Sequence, residues 1–222
     1  MSFCVAIDGP AGAGKSTIAK LVAKEKKYIY VDTGAMYRAM ALFLLREGIT
    51  AAETEKISEV CQGADISICY ENGEQVVLLN GENVNGLIRT EEVGNMASVS
   101  SANGTVRKKL VELQQKLAAS TDVVMDGRDI GTCVLPNADV KIYLTASTRV
   151  RAKRRFEELM QKGVSCNLDE IEKDIAERDH RDMTREISPL TQAPDAVCVD
   201  SSHIGIEETV SCILDIIYKV KG

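Results

Sequence analysis

The chain has 222 residues, 45% of them hydrophobic, and a formal charge of −6; that is enough apolar material for a buried core, and it excludes disorder as the expectation. The acidic balance argues against nucleic acid as a bulk partner, because such binding needs a basic face to displace counterions. Seven scattered cysteines without a C-x-x-C pair suit the reduced thiols of a cytosol, and the two histidines, His180 and His203, are too few for a Cys/His zinc cluster or a histidine triad.

The first apolar run, Phe3 to Ile7, predicts a buried strand. It leads directly into Gly9-Pro10-Ala11-Gly12-Ala13-Gly14-Lys15-Ser16, the full pattern G-x-x-x-x-G-K-[ST], and a helix is predicted from Lys15 to Lys26. Strand, glycine loop and helix together make a triphosphate cradle. Backbone N–H groups turn inward, the helix presents its positive end, Lys15 supplies a cation and Ser16 a hydroxyl for magnesium. Further strands are predicted at Tyr28 to Val31, Val123 to Met125, Val140 to Leu144 and Ala196 to Val199, with helices between most of them. That alternation predicts an α/β fold around a parallel sheet.

A helix over Ala35 to Arg46 follows the second strand. Residues 65–85 break the alternation: Ile66, Ile68 and Tyr70 alternate, Glu71-Asn72-Gly73-Glu74 turns, Val76 to Leu79 return and Asn80-Gly81 turns again. This predicts a small antiparallel meander inserted into the α/β core. Helices are predicted over Thr90 to Ser101 and Gly104 to Ala119, then over Ser147 to Met160 and Leu168 to Thr184, where charged residues outnumber apolar ones, as in helices standing partly clear of a core. A last amphipathic helix covers Ile206 to Val220. The chain's opening residues have no basic region and too short an apolar run for a signal peptide or membrane span, so a cytoplasmic protein is expected. With no heptad seam or long apolar stripe visible, a monomer is the expectation.

Local charge departs from the acidic average. Seven of the twelve arginines lie between positions 149 and 185, a cationic segment suited to a small polyanion. Two motifs follow predicted strands: Asp32-Thr33-Gly34-Ala35-Met36-Tyr37-Arg38, and Asp126-Gly127-Arg128-Asp129-Ile130-Gly131. Ligands bind at the carboxyl ends of strands in open α/β sheets. Plainer uses compete: Asp126 and Asp129 could cap a turn or pair with Arg128, and Arg151, Arg154 and Arg155 share a helix with Glu157 and Glu158, where ordinary surface pairing is open.

With Lys141 to Ser147 and Glu177-Arg178-Asp179-His180-Arg181-Asp182, these segments resemble the bacterial cytidylate kinases nearly from end to end; Cys133 departs from the family's common valine. The resemblance implies a P-loop NTPase-type three-layer fold with a five-stranded parallel sheet. It also implies one kinase domain over residues 1–222, with a core at 1–33, 103–147 and 186–222, a monophosphate-binding region at 34–102 and a helical lid at 148–185. It further implies transfer of the γ-phosphoryl of ATP to CMP or dCMP with Mg²⁺. On matching positions, Gly9 to Ser16, Thr17 and Arg154 would hold ATP, and Ser16 the metal. Asp32, Arg38, Asp126, Arg128 and Arg185 fall on the acceptor side, Asp182 at the sugar, and Ser98, Arg107 and Asp129 around cytosine. Lys15, Arg128, Asp129, Arg178, Arg181 and Arg185 would carry the transfer. A carboxylate at the base favours cytosine, whose exocyclic amino group donates where uracil offers a carbonyl.

Overall fold

The computed structural model describes residues 2–221. In chain order its first elements are β1 (Cys4–Asp8), α1 (Lys15–Lys26), β2 (Ile29–Asp32), α2 (Thr33–Arg46), α3 (Thr54–Val60), β3 (Ile66–Glu71), β4 (Glu74–Leu79) and β5 (Glu82–Asn83). There follow α4 (Glu91–Ser100), α5 (Gly104–Ser120), β6 (Val123–Gly127), β7 (Val140–Thr145), α6 (Thr148–Gln161), α7 (Leu168–Thr184), β8 (Val197–Asp200) and α8 (Ile206–Lys221). The chain divides into two compact units, Met1–Tyr30 with Thr121–Gly222, and Val31–Ser120.

A five-stranded parallel sheet runs in the order β2-β6-β1-β7-β8 and is flanked by helices. Val5, Ala6 and Ile7 of β1 are all fully buried, as a continuous apolar run predicts for a central parallel strand covered on both faces. In the first unit Ile18, Ala19 and Val22 of α1 and Ile213 and Ile217 of α8 pack against Val5, Ile7, Val124, Ile142 and Leu144. Register sets Asp8 beside Gly127 of β6 and Tyr143 of β7, so the polar ends of three strands meet at one edge. Immediately beyond β6 the chain forms a π-helical turn, Ile130–Val134, in which the Asp129 carbonyl accepts from the N–H groups of Cys133 and Val134. The sequence gives no periodic signal for so short an element.

In the second unit the expected meander is a three-stranded antiparallel sheet, β3-β4-β5. Its first turn is Asn72-Gly73 and its second Asn80-Gly81, all four residues at positive φ, the geometry that two-residue hairpins favour. Gln75 of β4 ties the meander to the end of β2: its amide oxygen accepts from the Asp32 N–H at 2.8 Å and its amide nitrogen donates to the Asp32 carbonyl at 3.3 Å. Helices α4 and α5 both pack on α2. Helix α3 carries little helical patterning and was not expected from the sequence. Among the described residues no helix is long and apolar enough to cross a membrane.

Candidate active site

In the first unit the glycine loop joins β1 to α1. Gly14 occupies the N-cap of α1 in a left-handed conformation, with no side-chain cap and no acidic residue in the helix's first turn. A helix start normally finds acceptors for its free N–H groups in a capping side chain. Here no capping side chain is supplied, and the positive end of a helix in that state favours an anion. Ser16 and Thr17 stand exposed in that first turn.

Lys15 is 5% exposed, and its ammonium donates to the Pro10 carbonyl at 2.8 Å. Burial pushes its pKa well below that of a free lysine, the Arg128 guanidinium pushes the same way, and Asp126, Asp8 and Asp182 oppose them. Asp8, at the end of β1, grips the turn opposite: its two carboxylate oxygens accept from the N–H groups of Ile130 at 2.8 Å and Gly131 at 2.7 Å. Burial raises its carboxyl to about 6, although both N–H groups and Lys15 favour the charged form. Asp126 accepts from the Tyr30 hydroxyl at 2.8 Å on one oxygen and from the Ser16 hydroxyl at 2.9 Å on the other. A hydroxyl beside a carboxylate is a hard oxygen donor set.

The sequence left Arg128 open to pairing with Asp126 or Asp129; its Nε instead donates to Asp182 of α7 at 2.9 Å. Asp129, 4% exposed, faces Arg185 Nη2 at 3.5 Å, and Arg185 Nε donates to the Ser188 carbonyl at 2.6 Å. Thus Lys15, Asp8, Asp126, Arg128 and Asp182 form one electrostatically linked group, and Asp129 joins it through Asp8. Arg178 is half-buried on α7, whereas Arg181 and His180 are exposed. Arg154 binds Ser201 beyond β8, Nη1 to the hydroxyl at 3.2 Å and Nη2 to the carbonyl at 2.6 Å. Arg155 makes the surface pair anticipated for this helix, with Glu158 at 2.8 Å. Arg151 does not: it is buried on Asp179 of α7 at 2.6 Å.

In the second unit Asp32 caps α2, Oδ1 accepting from the Ala35 N–H at 2.9 Å, while Oδ2 meets Arg89 at 2.6 Å. Arg38 lies half-buried one turn into α2; a Cβ on Gly34 would sit 3.3 Å from its Nη1, so the bare glycine leaves room for the guanidinium. Arg107 of α5 is 4% exposed, with its guanidinium 5.8 Å from the Tyr37 ring centroid and Nη1 donating to the Ser101 carbonyl at 3.4 Å. Ser98 is half-buried on α4. Arg38, Ser98 and Arg107 therefore come from three helices that pack together within this unit.

Sequence reasoning missed Asp8, Tyr30 and Asp179. An aspartate ending a strand and a tyrosine within one carry no motif of their own, and Asp179 reads as one more charge in a charged helix.

Comparison with known proteins gives a consistent result. A family profile described as "Cytidylate kinase" matches residues 5–219. A cytidylate kinase of Caldicellulosiruptor saccharolyticus is 52% identical over 218 residues, covering 98% of this chain and 96% of its own. One from Bacillus subtilis is 47% identical over 211 residues, covering 95% and 94%. Among solved structures, an uncharacterized protein from Eubacterium ventriosum superposes with a TM-score of 0.55 at 12% identity, covering 99% of both chains. A shikimate kinase from Bacteroides thetaiotaomicron does so with a TM-score of 0.50 at 14% identity, covering 97% of this chain and 98% of its own. These two likenesses concern the fold.

Proposed function

The chain belongs to the cytidylate kinase family, and from that premise we propose that it moves the γ-phosphoryl of ATP to the phosphate of CMP or dCMP, giving ADP and the nucleoside diphosphate. The observation that carries the donor half is the uncapped start of α1 with Lys15 buried beside it. A cation held dry and a helix end without a side-chain cap both gain from a polyphosphate. In this reading Gly9 to Ser16 and Thr17 hold the donor phosphates, and Arg154 helps from α6.

Phosphoryl transfer needs alignment and neutralisation of spread charge, with little covalent work from the protein. Lys15, Arg128, Arg178, Arg181 and Arg185 are the positive groups assigned to that task. A single arginine acting on the transition state is worth ~10³ to 10⁵ in rate in related chemistry. The acceptor phosphate is assigned to Arg38, Arg128 and Arg185, the sugar to Asp182, and the cytosine to Ser98, Arg107 and Asp129, with Asp32 and Asp126 supporting the acceptor side. Asp129 is a buried carboxylate able to accept from the cytosine amino group, which supports cytosine over uracil.

Mg²⁺ fits the donor set. The Ser16 hydroxyl and the Asp126 carboxylate are hard oxygens, and this ion takes one or two protein oxygens and completes its shell with phosphates and water. When bound it would neutralise charge on the transferring phosphates. Tyr30 would keep the Asp126 carboxylate oriented beside it.

A coupled assay of diphosphate formation with CMP, dCMP, UMP, AMP and GMP tests this. CMP and dCMP should be the preferred acceptors, and Lys15→Ala should abolish turnover while the far-UV circular dichroism stays unchanged. Preference for UMP, AMP or GMP, or full turnover by the lysine variant, would overturn the assignment.

A further inference from the structure

The residue at the third position of the glycine loop has an alanine side chain, yet two buried charges converge on its backbone. Asp179 Oδ1 accepts from the Ala11 N–H at 3.2 Å, and Arg151 Nη1 donates to the Ala11 carbonyl at 2.8 Å. The same guanidinium nitrogen meets Asp179 Oδ2 at 2.6 Å, which closes a ring of contacts around one residue of the loop. Arg151 is 4% exposed and Asp179 7%. The other two guanidinium nitrogens of Arg151 are engaged as well, Nε with the Ala146 carbonyl at 2.8 Å and Nη2 with the Thr148 hydroxyl at 3.1 Å. Its side chain also lies along the next residue, for a Cβ on Gly12 would stand 3.4 Å from Arg151 Cβ.

The buried pair is not the sole polar tie between α6 and α7 among the described residues. Arg149 already bridges the two helices at the surface, to Asp169 at 2.7 Å and Glu172 at 2.6 Å. What the buried pair adds is its grip on the loop. Arg151 comes from α6 and Asp179 from α7, so one clamp fixes the loop to both charged helices at once. Asp179 directly follows Arg178, and Arg151 stands one turn before Arg154 on the same helix face.

We infer that Arg151 and Asp179 are positioning residues for the donor: they fix the two peptides on either side of Ala11 so that the following N–H groups face the phosphates, and they link that geometry to the placement of Arg154 and Arg178. Neither side chain touches the reacting atoms in this scheme. The inference rests on the proposed donor site, and it extends that site to two residues outside the loop.

The near-isosteric test is Asp179→Asn. An asparagine offers one oxygen where the aspartate uses two, so its amide nitrogen must face either the Ala11 N–H or the guanidinium, donor against donor. Arg151→Ala removes the clamp from the other side. Arg151→Lys keeps the charge without the fork and should recover part of what alanine loses. Four readouts separate positioning from simple packing: ATP KM, CMP KM, binding of a non-hydrolysable ATP analogue by calorimetry, and amide exchange across the loop. Expected are an ATP KM and an analogue Kd raised tenfold or more in Asp179→Asn and Arg151→Ala, a CMP KM changed less than twofold, and amide exchange accelerated across residues 9–16. Analogue binding within twofold of wild type in Asp179→Asn, or equal rises in ATP and CMP KM, would overturn the inference. If Arg151→Ala does not fold, Asp179→Asn and Arg151→Lys decide it by the same criteria. A wild type that binds the analogue but prefers another acceptor would refute the acceptor assignment alone and leave the clamp comparison intact.

Discussion

Alanine at Gly9 and at Gly14 separates two physical costs that a glycine-rich loop hides. Gly9 has φ of 149°, and a Cβ built there lies 2.0 Å from the Leu144 carbonyl oxygen and 3.0 Å from its carbonyl carbon. An ordinary close C···O contact is about 3.3 Å, so the backbones must part by about 1.3 Å. Leu144 cannot yield cheaply, because β7 is an inner strand that pairs with β1 on one side and with Val199 of β8 on the other. Gly14 has φ of 86°, and its Cβ would meet nothing within 4 Å. Its substitution carries only the left-handed backbone cost of about 1–2 kcal/mol. Gly9→Ala adds overpacking, typically 1–3 kcal/mol and occasionally more, to its own backbone cost, so a loss of about 4 kcal/mol or more is expected.

For a chain of this length each kcal/mol moves the unfolding midpoint by roughly 2–4 °C. Gly9→Ala should then lower Tm by about 8 °C or more, and Gly14→Ala by about 2–8 °C, both followed by circular dichroism without nucleotide. Stability is the proper readout, since both residues belong to the proposed phosphate loop and activity would fall in either case. Equal losses, or a larger loss at Gly14, would refute the argument from the Leu144 contact.

The Asp8 carboxyl titrates near 6 in the folded chain and near 3.9 when unfolded, so between those values the folded state binds more protons and its stability falls as pH rises. The stability of wild type relative to Asp8→Asn should shrink by about 2 kcal/mol from pH 4 to pH 7 in urea unfolding, and a flat difference would reject the raised value. Tyr30→Phe strips a hydrogen bond from a buried carboxylate and should cost about 1–3 kcal/mol of stability while raising the Mg²⁺ concentration needed for half-maximal rate. An unchanged Tm with an unchanged Mg²⁺ requirement would count against it. Asp129→Asn should lower the CMP-to-UMP ratio of kcat/KM by about tenfold or more, and an unaltered ratio would remove the aspartate from the base.

The sheet was legible because parallel strands buried on both faces leave continuous apolar runs, and the strand, glycine loop and helix because their pattern puts fixed residue types at fixed spacing. The meander was legible from its two Asn-Gly turns. What the sequence hid are contacts between residues far apart in the chain. Asp8 reaches Ile130 and Gly131, Tyr30 reaches Asp126, and Asp179 reaches Ala11. Helix α3 escaped because its exposed residues carry almost no periodic signal, and the π-helical turn because two backbone hydrogen bonds leave no mark on side-chain pattern.

The acidic composition also acquires a physical meaning at this site. An anion-binding centre needs cations held in place before the ligand arrives, and a carboxylate partner is one way to hold a buried guanidinium. Asp182 answers Arg128, Asp129 stands near Arg185, and Asp179 answers Arg151. The first two pairs join residues that the proposed scheme gives to the substrate, so a phosphate or a base must compete with the partner already there. The third is satisfied entirely by protein groups, including the Ala11 backbone on both its polar atoms. Substitution in the first two pairs should therefore change acceptor affinity and choice, while substitution in the third should change how the loop receives its donor. Measuring CMP and ATP binding separately for Asp182→Asn and Asp179→Asn distinguishes the two kinds of pair: the first should weaken CMP binding more, the second ATP binding more, and identical profiles would dissolve the distinction.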